Sequence, residues 1–212
     1  MTVPQVLQGL GVTLELWLGS LALAIILAIP VALGRRSKNR FAYGFASLWV
    51  TIARGLPPTV WLFLLFFGVK FGPTATSPVI ASIVGLGIVT SAYIGDSIRA
   101  GLESVEKGQW EACSALALSR PTTYLRVIGP QALPITLAAT AAYAISLLKN
   151  TAIASIIGAN DLVYYANTAV QLGSDAIVTF LFVGIIYLVF TIPVGFLART
   201  IESRTGIAVS GA

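Results

Sequence analysis

The chain contains no histidine and a single cysteine, Cys113. Without histidine it lacks the commonest general base, the usual zinc ligand and the neutral-pH switch. One cysteine forms no intrachain disulfide and no thiolate metal cluster. Charge is also scarce. Only 10% of the 212 residues are charged and 57% are hydrophobic, whereas soluble domains carry about 25% charged residues. Mean hydropathy is +0.89. A core of this size does not hide that much apolar surface from water, so lipid is the expected solvent. No Lys or Arg precedes Arg35, so there is no basic leader before the first apolar run, which is expected to remain as a membrane span. The phosphate-binding pattern G-x-x-x-x-G-K-[ST] is missing too, so this chain does not hold ATP by that device.

The charges that are present mark boundaries. Net charge is +5. Arg35, Arg36, Lys38 and Arg40 follow the first apolar run; Arg99, Lys107, Arg120 and Arg126 flank a central polar loop; Arg199 and Arg204 lie near the C-terminus. Only Lys70 and Lys149 fall towards the other side. Basic loops stay cytoplasmic, which puts the N-terminus outside and the C-terminus inside. Scattered boundary charges do not form the single basic stripe of a nucleic-acid binder, so no nucleic-acid partner is expected.

A span needs about 20 apolar residues. Leu10 to Gly34 supplies the first, with Trp17 in the expected aromatic belt. Phe41 to Phe71 is too long for one straight crossing and contains Arg54-Gly55-Leu56-Pro57-Pro58. It reads as a half from Tyr43 to Ala53, a bend, and a half from Thr59 to Val69. Arg54 is then either a functional group or a side chain snorkelling beside a proline kink. After a short outer loop, Phe71 to Ser77, the third span runs from Pro78 to about Ile98. The fourth runs from Gln131 to Ile157, and the fifth from Ala176 to Ala198. The outer segment Gly158 to Ser174 carries a short helix around Leu162 to Gln171. The expected fold is an all-α polytopic membrane protein of about five transmembrane helices, one domain over residues 1–212.

The central loop, about 100–130, changes from lipid-facing to amphipathic. Trp110, Cys113 and Leu116 are spaced to share one face of a short helix opening near Gly108. Ser119-Arg120-Pro121 reads as a helix restart, with serine as cap and proline in the first turn. Two short helices here fit either a cleft on another protein or lipid headgroups.

These residues carry a resemblance. Glu111-Ala112-Cys113, Ala117, Val127 and Pro130 fall at the spacing of the EAA motif of bacterial ABC importer permeases. Lys107-Gly108-Gln109-Trp110-Glu111-Ala112, Leu118-Ser119-Arg120, Pro130-Gln131-Ala132-Leu133 and Ser146-Leu147-Leu148-Lys149-Asn150-Thr151 resemble the polar amino acid branch (histidine, glutamate, glutamine, arginine, opines), as does the Arg54-Gly55-Leu56-Pro57 bend. The resemblance covers about residues 12–204. Three positions depart from the motif: Cys113 replaces the second Ala, Ala117 the Gly, and Gly129 the Leu. Alanine resists the backbone conformation that glycine permits, so the turn at Ala117 is expected either to be reshaped or to take ordinary negative φ.

The resemblance implies a translocation subunit of the cytoplasmic (inner) membrane that is not itself an enzyme. Its cytoplasmic coupling helices would dock on an ATPase dimer that binds ATP and Mg. A second permease, identical or paralogous, and an extracytoplasmic solute-binding protein would complete the system. Glu111 is the expected polar contact to the ATPase, with Trp110, Ala112 and Leu116 packing and Ala117 in the turn. Asp96 lies ~27 Å down the third helix, near the inner boundary, one turn before Arg99, and the two are expected to pair, structurally or as a gate. Lys149, about 22 Å into the fourth helix, with Asn150, Thr151 and Tyr143, is a candidate for the solute path. Asn167, Gln171 and Asp175 lie near the outer side, and Asp161 with Tyr164 and Tyr165 is placed to touch a binding protein. The competing function is an ion-coupled secondary transporter, but such proteins commonly show internal repeats and midplane acids, and no repeat is found.

Overall fold

α1 (Leu10–Arg35) sets the frame of the molecule. Its 26 residues span ~39 Å at 1.5 Å each, enough to cross a bilayer. Thr13, Leu16, Ser20, Ala24, Ala28 and Ala32 form a buried stripe of mostly small residues. Small residues let helix backbones approach closely in lipid, and the most extensive helix contact is that of α1 with α4 (Pro78–Ser104). The computed structural model describes residues 3–69 and 76–205; for 3, 4, 197, 198 and 201–205 it describes the backbone alone. Lys70 and most of the expected outer loop Phe71–Ser77 therefore lie outside the described residues.

α2 (Arg40–Gly55) and α3 (Pro58–Gly68) are bent by 99° at their junction. The sequence explains the bend. Leu56 and Pro57 each precede a proline, which pushes a residue out of the helical region. Both are extended, with ψ of 137° and 143°. Pro58 then starts α3 in the first-turn position that tolerates it. The result is sharper than a kink in one helix, and α3, at ~16 Å, is too short to span alone. Four helices are long and apolar enough to cross a membrane, or five if the bent pair counts as one span. No strand occurs among the described residues, so the all-α polytopic expectation stands.

α4 runs six residues beyond the expected end at Ile98. After it, α5 (Lys107–Ala115) stands apart as a short helix. α6 (Arg120–Thr122) does not. It continues through a π-helical stretch, Thr123–Ile128, into α7 (Gly129–Asn150) and a 3₁₀ extension, Thr151–Ile157. The expectation of two separate surface helices is thus corrected to one. α7 packs on α4 and α9. α8 (Leu162–Gln171) sits against the short 3₁₀ turn Val3–Gly9 that precedes α1, and α9 (Ala176–Thr205) closes the bundle. Along α9, Ile177, Leu181, Leu188 and Phe196 all lie exposed, the pattern of a helix solvated by lipid. The Trp17 indole N–H donates to the Ala144 carbonyl at 2.8 Å, joining α1 to α7.

Candidate functional site

Two features stand out: a polar cavity within the bundle, and the α5 surface at its basic end. The cavity has a volume of about 480 Å³. The α2–α3 bend, Arg54 to Pro58, forms one wall. α4 contributes Val89, Thr90 and Tyr93, and α7 contributes Tyr143, Ser146, Leu147 and Asn150. The Tyr93 and Tyr143 rings lie 5.2 Å apart. The bend places two extended residues, Leu56 and Pro57, on the cavity wall between α2 and α3, both of which pack on α4.

Arg54, in the last turn of α2, does not snorkel. Its Nη2 donates to the Ala92 carbonyl at 2.7 Å and pairs with Asp96 Oδ2 at 2.6 Å. Its guanidinium lies 4.4 Å from the centre of the Tyr93 ring. Asp96 also receives Arg35, through Oδ1, while Arg99 reaches that oxygen at only 3.5 Å. Arg99 bonds more closely to Glu103, at 2.9 Å. The expected Asp96–Arg99 pair is therefore the weakest of three contacts. The principal partners of Asp96 come from α1 and α2, far off in sequence, and the cluster ties three helices together. Each of these side chains keeps roughly a quarter to a third of its surface exposed, so the charges are only partly desolvated and opposite charges offset that cost.

Of the expected solute-path residues, Tyr143 and Asn150 line the cavity. Lys149 does not: it lies exposed on another face of α7. Thr151 is fully buried and donates its hydroxyl to the Leu148 carbonyl at 2.7 Å, so it faces the helix and not the space. Tyr93 is what sequence reasoning missed, and Arg54 was left between two roles. The bend motif pointed at Arg54, but nothing local in sequence places it beside α4.

At the basic end α5 is two-sided. Cys113 is buried, and with Leu102, Val105, Ile128 and Ala132 it forms a small core between the end of α4 and the start of α7. Trp110 packs on this core, edge-on to Tyr124 at 5.6 Å, with the Arg36 guanidinium 4.7 Å from its ring centre. Glu111, Ala112, Leu116 and Ala117 face outward. The proposed common face of Trp110, Cys113 and Leu116 is corrected: Leu116 is 72% exposed, because α5 ends one residue before it and the chain turns. The turn takes neither expected form. Ala117 has φ +51°, the only positive φ among the described non-glycine residues. Leu118 N–H bonds to Cys113 O and Ala117 N–H to Ser114 O, both at 3.0 Å. This is a Schellman closure with alanine in the position usually held by glycine, and Leu118 packs near Cys113 as that motif requires.

Ser119 caps the next helix as expected, accepting from Thr122 N–H at 3.3 Å. Gly129 has its own reason. Its N–H bonds to the Tyr124 carbonyl across the π turn, and a Cβ there would lie 2.2 Å from that oxygen.

Over residues 12–207 the chain matches the family described as binding-protein-dependent transport system inner membrane component. It belongs to that family. The permease is 32% identical over 184 residues to the probable amino-acid ABC transporter permease protein YckA of Bacillus subtilis, covering 87% of this chain and 81% of that one. It is 29% identical to the histidine/lysine/arginine/ornithine transport system permease protein HisQ of Escherichia coli, covering 98% and 96%. Among solved structures, one described as an amino acid ABC transporter with histidines superposes with a TM-score of 0.84 at 29% identity, covering 95% of this chain and 94% of that one. The chain is thus a permease component of an ABC transporter, a family that implies ATPase and permease partners. Nothing in these likenesses supports an ion-coupled secondary transporter. Relatives of this kind are translocation subunits and not enzymes.

Proposed function

We propose that this permease imports a polar amino acid or an opine-like solute, handed to it by an extracytoplasmic solute-binding protein. The observation that carries the reading is the cavity. Its size falls within the ~300–1,000 Å³ range of small-molecule sites. It presents an arginine, two tyrosines, an asparagine amide and the hydroxyl residues Thr90 and Ser146, groups suited to a carboxylate and its neighbouring polar atoms. The relatives are named for amino acids and, in the nopaline transport system permease protein NocM of Agrobacterium fabrum, for an opine.

In this reading the N-terminus lies outside, and the C-terminus and α5 face the cytoplasm. An ATPase dimer grips the outward residues Glu111, Ala112, Leu116 and the Ala117 turn, and holds ATP and Mg itself. A second permease completes the path, and Lys149 faces either that subunit or lipid. ATP binding then biases an equilibrium between two arrangements of the bundle. The test is uptake into vesicles containing the assembled complex, energised by ATP or by a proton gradient, together with Glu111→Lys. ATP is expected to drive uptake. Glu111→Lys is expected to cut ATPase co-purification about tenfold, as loss of a desolvated interface charge does, with normal membrane insertion. Uptake that followed the proton gradient and ignored ATP would refute the reading.

A further inference from the structure

We propose that Arg36 is the positioning residue that transmits movement of α5 to the wall of the cavity. Arg36 caps the C-terminus of α1, with its N–H bonded back to the Leu33 carbonyl at 3.2 Å. It has no slack relative to its neighbour Arg35. Its guanidinium carbon sits 4.7 Å from the centre of the Trp110 ring, and its Nη1 is buried with no hydrogen-bond acceptor among the described residues. A cation over an indole face is the strongest pairing of its type. A side chain that merely snorkelled would direct those nitrogens to headgroups instead.

From Arg36 the path passes through the backbone to its neighbour Arg35. Arg35 pairs with Asp96. Asp96 pairs with Arg54 at 2.6 Å, and Arg54 lines the cavity over Tyr93. Trp110 therefore joins an outward-facing helix to a charged cluster that ends on the solute's side. Trp110 does this from the inner face of α5, where it packs on the Cys113 core and edge-on to Tyr124. A tilt of α5 that moved the indole would pull on the end of α1 and, through Arg35, on the orientation of Arg54. Arg36 touches neither the cavity nor the exposed face of α5.

The inference rests on the reading of α5 as a docking helix. The experiment uses the complete complex in proteoliposomes, with radiolabelled L-glutamine, L-histidine and L-arginine as probes, and records ATP hydrolysis, uptake and ATPase co-purification together. Arg36→Gln is expected to leave co-purification unchanged while uptake per ATP falls about fivefold, the shift that one ordinary cation–π contact supports. Arg36→Lys, which keeps the cation, is expected to recover most of the loss. Trp110→Leu, which keeps bulk without a π face, is expected to match Arg36→Gln, and the double variant to be no worse than either. Should Arg36→Gln fail to accumulate in the membrane, Trp110→Leu reads the same contact. Unchanged coupling in these variants, or a loss that tracks lost co-purification, overturns the proposal while leaving the docking reading intact. A wild-type complex whose uptake follows a proton gradient and ignores ATP overturns both.

Discussion

The two ends of α1 meet two aspartates, and the protein treats them differently. At the Arg35 end, Asp96 is held by arginines from α1, α2 and its own helix. At the Gly9 end, Asp161 is fully buried, and no cation pairs with it among the described residues. It caps α8, with Oδ1 accepting the Tyr164 N–H at 2.8 Å, but its Oδ2 is buried without a partner. Burial pushes its pKa up to about 7, although the backbone N–H groups pull the other way. Both ends also turn through positive φ, the basic end at Ala117, φ +51°, and the other end twice, at Gly158, φ +85°, and at Gly173, φ +95°. So the basic end pairs its charge and tolerates a strained turn, while the opposite end turns on glycine and buries its acid, which raises the acid's affinity for a proton. The first arrangement suits a surface that must stay charged and hold a set shape; the second suits close packing, because a Cβ on Gly9 would strike the Asp161 backbone at 2.3 Å.

The largest expected effect comes from breaking the paired end. Asp96→Asn removes the one group that Arg35, Arg54 and Arg99 share. Removing one partner of a buried pair costs about 3–5 kcal/mol, and the lower figure applies because roughly a quarter of Asp96 remains exposed. The detergent-solubilised protein should lose about 3 kcal/mol, seen as a thermal midpoint lowered by roughly 6–12 °C for a chain of this length. A midpoint within 2 °C of wild type would mean that the arginines are already well solvated, as surface pairs are.

Asp161 gives the converse. Its folded pKa of about 7 lies above the ordinary value of 3.8, so the folded protein holds a proton that the unfolded chain releases. Its contribution to stability is full below about 4 and is lost as pH rises through 7. Asp161→Asn keeps the cap, since asparagine serves that position as well, and carries no charge to desolvate. At pH 8 the variant should melt several degrees higher, and the difference should shrink as pH falls and vanish below about pH 4. Equal pH slopes in the two proteins would show that Asp161 keeps its charge despite burial.

Much of this contrast could not be read from sequence. The five apolar runs, the proline bend, the Ser119 cap and the two-sided α5 follow from local patterns, and local patterns are what a sequence displays. Asp96 and Arg99, one turn apart, were visible as a pair, but Arg35 and Arg54 reach Asp96 only because α1 and α2 pack on α4. The same holds for Asp161, expected at a surface and found under Gly9. It holds for Lys149 as well: helical spacing gives its depth, yet not which face of α7 meets the cavity. Trp110 was correctly placed on an amphipathic helix, but which partner its face meets depends on the position of Tyr124 and the end of α1.

The smallest effect compares the two turns directly. A residue with a Cβ in the left-handed region costs about 1–2 kcal/mol, and glycine escapes that cost. Ala117→Gly should therefore stabilise the folded protein by up to about 1 kcal/mol, less than the full strain because glycine also frees the unfolded chain. Gly158→Ala should destabilise it by a similar amount; no atom lies within 4 Å of the added methyl, so backbone strain acts alone. The pair isolates one variable, since both changes exchange the same atoms at positive φ in opposite directions. If the closure at Ala117 forms only with strain, the two midpoints should move apart, one up and one down, by about 2–4 °C each. If Ala117→Gly lowers the midpoint, alanine at that turn is favoured by something other than its φ, and the packing of Leu118 on Cys113 becomes the place to look.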